Sequence, residues 1–232
     1  MNPFTTPPRK MSHSLRALAW LLRYPNAELR ELAPALAAAL REEGALDASR
    51  LAELDALATR LAGADAIRAE AEYVELFDRG RRTSLHLFEH VHGDSRDRGP
   101  AMVDLIQTYE RAGLRMTPGE LPDYLPVVME FASTQPPREA REFLRETAHI
   151  VRSIFSALAE RRSPYASVLA ALLDLAGEAA QRVELPAEPP LDESWAEPEA
   201  FGGCSSAGQS RPNEPQPIQI VRPAKAPPRA AA

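Results

Sequence analysis

Residues 73–94 read YVELFDRGRRTSLHLFEHVHGD, and they break the plain amphipathic pattern that fills most of this chain. Tyr73 and Phe77 lie one helical turn apart at the end of a predicted helix. A second, short helix is predicted from Ser84 to Val91. Three of the five histidines of the chain lie between residues 86 and 92, a concentration that a plain helical scaffold does not need. The stretch therefore indicates two helices with a histidine-rich junction.

On either side of this stretch, apolar residues recur every three or four positions, which is typical of amphipathic helices. No alternating strand pattern of useful length occurs in the sequence. Pro34 lies inside one of the helical patterns and predicts a helix that is kinked or split in two. The sequence therefore predicts an all-α fold, a compact bundle of roughly eight to ten helices.

Composition divides the chain into three parts. Residues 1–11 contain three prolines and no periodicity, so they are predicted to be disordered. Residues 12–183 form the predicted helical domain, and residues 184–232 are predicted to be a largely disordered, proline-rich tail. Within the tail, residues 191–201 contain two aromatic side chains. They indicate either a segment that docks on the bundle or on a partner, or aromatic residues left in a flexible arm.

Charge and composition narrow the classes of function. The net charge is −6, and the chain has no basic surplus to neutralise phosphates, which disfavours general nucleic-acid binding. The single cysteine, Cys204, excludes an internal disulfide and a four-thiolate metal site. No apolar run approaches the roughly 20 residues that span a bilayer, and the N-terminus lacks the apolar region of a secretory signal. We therefore expect a soluble, cytoplasmic protein that does not insert into membranes.

Two segments of the chain resemble a known family. Tyr73-x-x-Leu76-Phe77 followed by residues 81–94 is similar to the signature of the NarJ-type chaperones, which assist molybdenum-cofactor insertion into respiratory nitrate reductase. The second segment is Glu120-Leu-Pro-Asp-Tyr-Leu-Pro-Val-Val-Met-Glu-Phe131. The wider TorD/DmsD group of redox-enzyme maturation chaperones has Glu-Pro-x-Asp-His there. This chain departs from that pattern and matches the nitrate-reductase branch better. The resemblance covers roughly residues 12–180, about one domain.

This resemblance implies a chaperone and not an enzyme. Its client would be the apo catalytic subunit of nitrate reductase, recognised through the N-terminal segment of that subunit. The chaperone would keep the client competent for molybdenum cofactor insertion before membrane attachment. Proteins that deliver the molybdenum cofactor are further expected partners. No cofactor is expected to be bound stably by the chaperone itself.

The candidate client-binding residues lie in both segments. Leu76 and Phe77 are either the floor of an apolar groove or ordinary core residues. Glu120 and Asp123 would attract a basic peptide, although Asp123, near a predicted helix start, is also typical of a helix cap. The full set of candidates is Tyr73, Leu76, Phe77, Arg82, His86, Glu120, Asp123 and Tyr124.

Three arginines of the first segment allow two interpretations. Arg79, Arg81 and Arg82 could clamp an anionic group such as a pterin phosphate, because guanidinium groups match phosphate geometry. The alternative is a solvated loop face, which is the common environment of exposed charges.

A rival hypothesis is a zinc hydrolase. His86-Leu-Phe-Glu89-His90 fits H-x-x-E-H, the inverted zinc-protease motif, in which two imidazoles bind zinc and the carboxylate acts as a base. No helix-borne carboxylate stands out as the third ligand that such a site needs. The alternative is a structural role for these histidines, hydrogen-bonded at a helix junction. A third hypothesis is a general helical scaffold that binds other proteins.

Overall fold

The computed structural model describes residues 10–93, 95–117 and 119–185, and in these ranges the chain is all-α with nine α-helices and no β-strand, as predicted. The predicted docking segment 191–201 and the rest of the tail from residue 186 lie outside the described residues. The helices are α1 (Ser12–Leu21), α2 (Ala27–Glu43), α3 (Ala48–Gly63), α4 (Ala66–Tyr73), α5 (Leu87–His92), α6 (Arg98–Arg111), α7 (Leu125–Thr134), α8 (Pro137–Glu160) and α9 (Ala166–Ala176).

The core is built around α1. Leu15, Leu18 and Leu21 on this helix are fully buried, and α1 packs against α2, α7 and α9. Burial of each such leucine contributes about 1.5–3 kcal/mol, so α1 is a main source of the hydrophobic stabilisation. The long helix α8 packs along α9 and closes the bundle. Met11, predicted as the last residue of the disordered lead-in, is buried in this core.

Side-chain caps explain where three helices begin. Asn26, Asp47 and Asp65 each accept a hydrogen bond from the backbone N–H three residues later, at 2.9, 2.8 and 3.0 Å. A cap of this kind contributes about 1 kcal/mol, because it pairs a donor that the helix leaves unsatisfied. Gly44 ends α2 with a φ of 64°, a left-handed conformation that favours glycine.

Pro34 does not split α2, which runs without interruption from Ala27 to Glu43. Proline removes one intrahelical hydrogen bond, but Pro34 is exposed, whereas Leu29 and Leu40 on the same helix are buried. Tertiary packing of the buried residues therefore keeps the helix in one piece, and the prediction of a split helix is wrong.

The chain is irregular between α4 and α5. Val74–Asp78 forms a π-helical turn directly after α4, and Arg81–Thr83 forms a 3₁₀ turn. The short helix α5 begins at Leu87, three residues later than predicted. Wide π turns inside helices are frequent at functional sites.

No helix in the described part of the chain is long and apolar enough to cross a membrane.

Candidate functional site

The two segments that the sequence singles out lie against each other. The backbone N–H of Leu125 donates to the carbonyl of Leu85 at 2.8 Å, and the N–H of Leu87 donates to the carbonyl of Asp123 at 3.0 Å. These bonds form an isolated antiparallel bridge between His86 and Tyr124, whose rings lie 5.2 Å apart. The structure therefore brings both segments to one junction.

Asp123 is fully buried at this junction. Its Oδ2 accepts a hydrogen bond from the backbone N–H of Phe88 at 3.1 Å, so it caps the first turn of α5 from a distant part of the chain. The other carboxylate oxygen lies 3.5 Å from Nδ1 of His86, and Arg98 Nη2 lies 3.8 Å from Oδ2. The carboxylate holds the junction together and has no surface that a partner could reach.

The ring of His90 belongs to a hydrogen-bond network at the junction. His86 precedes α5 with extended backbone, so it does not share a helix face with His90. Nε2 of His90 lies 2.9 Å from the carbonyl oxygen of Ser84, and the hydroxyl of Ser84 donates to Glu89 at 2.5 Å. In the residues that the structure describes, no group of three or more His, Cys, Asp or Glu is placed to hold a metal ion. The geometry favours the structural reading of the H-x-x-E-H string.

An aromatic cluster lies beneath the π-helical turn. Tyr73 and Phe77 are buried with ring centroids 4.7 Å apart, and Tyr165 lies 5.2 Å from Phe77. The Tyr73 hydroxyl donates to the carbonyl of Leu22 at 2.7 Å and lies 3.4 Å from the Tyr124 hydroxyl. Burial raises the pKa of Tyr73, Tyr165 and Tyr124 above the ordinary tyrosine value. Sequence reasoning missed Tyr165, because nothing around it marks a site.

Leu76 lies on the outer side of this cluster, in a surface groove of about 730 Å³ that we call the Leu76 groove. Leu76 is half-buried, and Tyr24 is 44% exposed, so the groove presents apolar surface to solvent. Glu70 accepts a hydrogen bond from the Tyr24 hydroxyl at 3.1 Å. Phe77 does not line the groove but packs in the core behind it. The groove residues used below are Tyr24, Glu70, Val74, Glu75, Leu76 and Arg79.

Glu120 lies in a different concavity from Leu76. It is exposed and lines a cavity of about 280 Å³ between α1, the end of α6 and α7, which we call the Trp20 cavity. Sequence reasoning missed Trp20, which the structure shows half-exposed beside the buried leucines of α1. The residues that line this cavity include Trp20, Tyr109, Thr117, Glu120, Val127 and Phe131.

Arg79 and Arg82 of the first segment have acidic partners. Arg79 bonds to Glu75 at 3.0 Å, and Arg82 bonds to Glu160 at the end of α8, also at 3.0 Å. Arg82 therefore fixes the 3₁₀ turn to α8. The guanidinium groups of Arg79 and Arg82 already pair with carboxylates, and they would have to leave these partners to bind a pterin phosphate.

Comparison with known proteins agrees with the two segments. The family model described as nitrate reductase delta subunit matches residues 24–171. The chain is 43% identical over 159 residues to the nitrate reductase molybdenum cofactor assembly chaperone NarJ of Escherichia coli K12. The aligned region covers 68% of this chain and 67% of that protein. It is 35% identical over 161 residues to the nitrate reductase-like protein NarX of Mycobacterium tuberculosis CDC 1551, which covers 68% of this chain and 24% of that protein.

A solved structure supports the fold. The crystal structure of a redox enzyme maturation protein from Archaeoglobus fulgidus is similar with a TM-score of 0.51 and 20% sequence identity, over 77% of this chain and 100% of that chain. The resemblance to NarJ-type chaperones indicated by the two segments is confirmed, because both lie inside the family match. The match of the family model to residues 24–171 and the 43% identity to NarJ show that this chain is a member of the nitrate reductase delta subunit family.

Proposed function

We propose that this protein is an assembly chaperone for a nitrate reductase, which binds the immature catalytic subunit and keeps it competent for molybdenum cofactor insertion. The observation that carries the proposal is the 43% identity to an assembly chaperone over 159 residues, a region that contains most of the helical bundle. The protein makes and breaks no bonds in its client. It acts in the cytoplasm, before the client attaches to the membrane, and it cooperates with proteins that deliver the cofactor.

The client site in this proposal is the Leu76 groove. A helical client segment would lay its apolar face on Leu76 and Tyr24, which is a common mode of peptide recognition. Tyr73 and Phe77 support the groove from the core side, where their rings are packed and cannot shift without cost. The preformed floor reduces the entropy that binding has to overcome. We further propose that the segment bound is the N-terminal segment of the catalytic subunit.

The remaining candidate residues have two kinds of role in this proposal. Glu120 is the exposed carboxylate and attracts basic residues of the client. Asp123 and Arg82 are positioning residues, because one caps α5 and the other ties the 3₁₀ turn to α8. His86 and Tyr124 join the two segments and are half-buried.

Titration calorimetry with the client's N-terminal peptide and the full chain tests this proposal. Leu76→Glu places an unpaired charge in the apolar groove, so we expect peptide binding to weaken at least about tenfold. Val103→Glu is the matched control, since Val103 is exposed on α6 and does not line the groove. Unfolding curves of both variants establish that they fold.

Two outcomes would count against the proposal. If the unchanged protein shows no heat of binding with the peptide, and also fails to retain the apo catalytic subunit, the chaperone function is overturned. If Leu76→Glu binds as tightly as the unchanged protein, the function stands but the groove is the wrong site.

A further inference from the structure

A third concavity is lined by residues of α3, α8 and α9, and we call it the Phe155 cavity. Its volume of about 550 Å³ lies within the roughly 300–1,000 Å³ that is usual for sites of small organic ligands. The connection between α8 and α9 and the segment that follows α9 also line it. The lining residues used below are Arg50, Glu53, Phe155, Arg162 and Arg182.

The Phe155 cavity has an excess of positive charge. Arg50 is neutralised, because its Nε bonds to Asp174 at 2.8 Å and another of its nitrogens pairs with Glu53. Arg162 and Arg182 are exposed, and neither pairs with a carboxylate of any described residue. Two uncompensated guanidinium groups therefore line one concavity, although the whole chain has a net charge of −6.

Arg162 is held in a backbone conformation that few arginines adopt. It follows α8 with a φ of 53°, in the left-handed region that favours glycine. Gly44 and Gly177 end α2 and α9 in the same region, with φ values of 64° and 79°. Backbone strain of this kind is concentrated at functional sites. The end of α8 thus carries a strained arginine where two other helices carry glycine, and this arginine supplies a cation to the cavity.

Arg182 is fixed beside the cavity although it lies outside the helices. The backbone N–H of Val183 donates to Oγ of Ser156 on α8 at 3.0 Å, and Ala180 packs against the core. Phe155, the neighbour of Ser156 on α8, is half-buried and adds an aromatic side chain to the lining. The cavity therefore combines a flat apolar side chain with two cations that come from separate segments.

These features favour an anion that carries a flat ring. A phosphate ester has a charge of about −1.5 to −2 at pH 7, which two guanidinium groups match, and the guanidinium fork suits phosphate oxygens. We propose that the Phe155 cavity binds a phosphate ester of a flat heterocycle, with the phosphate between Arg162 and Arg182 and the ring against Phe155. The cavity shares no lining residue with the Leu76 groove, so this inference goes beyond the proposed function.

Fluorescence anisotropy of FMN with the full chain tests this inference, because FMN carries a phosphate on a ring system that contains a fused pteridine. We expect FMN to bind, and riboflavin, which has the same ring without the phosphate, to bind at least about tenfold more weakly. Inorganic phosphate lacks the ring, so it should displace FMN only at concentrations at least about tenfold above the Kd of FMN.

A nucleotide shares this chemistry, and AMP distinguishes the two sources of a phosphorylated ring. Displacement of FMN by AMP would show that the site also takes purine nucleotides. Failure of AMP to displace FMN would show that the site selects a pteridine-type ring. Either result leaves the proposed class of ligand in place.

Two variants remove the uncompensated cations. Arg162→Gly also relieves the left-handed conformation, so it should weaken FMN binding at least about tenfold while the thermal midpoint stays the same or rises. Arg182→Gln should weaken FMN binding to a similar extent. Arg138→Gln is the matched control, because Arg138 is exposed on α8 and does not line the cavity. This control changes the net charge as Arg182→Gln does and should bind FMN as the unchanged protein does.

Three results would overturn the inference: no binding of FMN, equal binding of riboflavin, or unchanged FMN affinity in Arg162→Gly or Arg182→Gln. Displacement of FMN by inorganic phosphate near the Kd of FMN would also overturn it, since the ring would then contribute nothing. Hexaglutamate that displaces FMN as well as AMP does would assign the cavity to acidic peptides instead.

The client's N-terminal peptide separates this inference from the proposed function. We expect Arg182→Gln to bind this peptide as the unchanged protein does. If FMN binds and the client peptide does not, the Phe155 cavity stands as a ligand site while the client site in the proposed function fails. If the peptide binds and FMN does not, the proposed function stands and the inference about the cavity is overturned.

Discussion

The carboxylate of Asp123 accepts a hydrogen bond from the backbone N–H of Phe88 at 3.1 Å, across 35 positions of sequence. This bond and the backbone bridge between His86 and Tyr124 join the two segments that distinguish the family. A residue that attracts attention as a client-binding carboxylate is thus placed where it holds α5 in position.

Asp123→Ala should lower the free energy of unfolding by about 1–3 kcal/mol, because it leaves the buried N–H of Phe88 without an acceptor. Asp123→Asn should cost less, since its amide oxygen can accept the same bond. Urea unfolding followed by circular dichroism measures both. Glu120→Ala is the control, and we expect a change within about 0.5 kcal/mol for this exposed residue. Equal stability of Asp123→Ala and the unchanged protein would show that the cap contributes nothing.

Tyr73→Phe should lower the free energy of unfolding by about 1 kcal/mol, because the variant keeps the packed ring and loses the 2.7 Å hydrogen bond to the carbonyl of Leu22. The lost bond connects the end of α4 to the end of α1. Denaturant unfolding measures the change. Tyr24→Phe is a control at an exposed tyrosine, whose hydroxyl bonds to Glu70 in solvent, and its effect should be smaller.

Much of the fold could be predicted from the sequence, because helices depend mainly on local patterns. Leucine spacing indicates the buried face of α1, and Asn26 and Asp47 mark helix starts that the structure confirms. Pro34 lies inside a continuous α2, so the alternative of a helix split in two is wrong. Tail residues beyond 185 are outside the part of the chain that the structure describes, so the prediction for them stays a prediction.

The site could be predicted only in outline. Sequence similarity indicated that residues 73–94 and 120–131 act together, and the structure brings them into contact. Which helix Asp123 caps could not be predicted, since an acidic residue before a helix has the same local pattern whether it caps its own helix or another. The separation of Glu120 from Leu76 is equally a property of tertiary packing.

The free energy of unfolding should fall more steeply at alkaline pH than it would in a protein whose tyrosines are all exposed. Burial raises the pKa of Tyr73, Tyr109 and Tyr165. Above about pH 10 the unfolded chain loses these phenolic protons while the folded chain keeps them, so the unfolded state binds fewer protons and stability falls as pH rises. Tyr73→Phe should reduce the slope of stability against pH. Unfolding midpoints across alkaline pH, with tyrosinate absorbance as a second readout, measure the effect. A slope that is unchanged in Tyr73→Phe would contradict the assignment.

Gly80 is the position where the π-helical turn passes closest to the chain that follows it. A Cβ atom there would lie 2.8 Å from the carbonyl oxygen of Leu76 and would also clash with the hydroxyl of Thr83, which donates to that carbonyl. Gly80→Ala should therefore cost about 1–3 kcal/mol, the usual effect of overpacking.

The same change should weaken client binding, because the displaced carbonyl belongs to Leu76 itself. Gly63→Ala is the matched control: a Cβ there meets nothing within 4 Å, and alanine at the end of α3 should be neutral or stabilising by up to about 1 kcal/mol. Denaturant unfolding and peptide titration of both variants are the measurements. If Gly80→Ala is as stable as Gly63→Ala and binds peptide as well, the close approach at this turn has no role in shaping the groove.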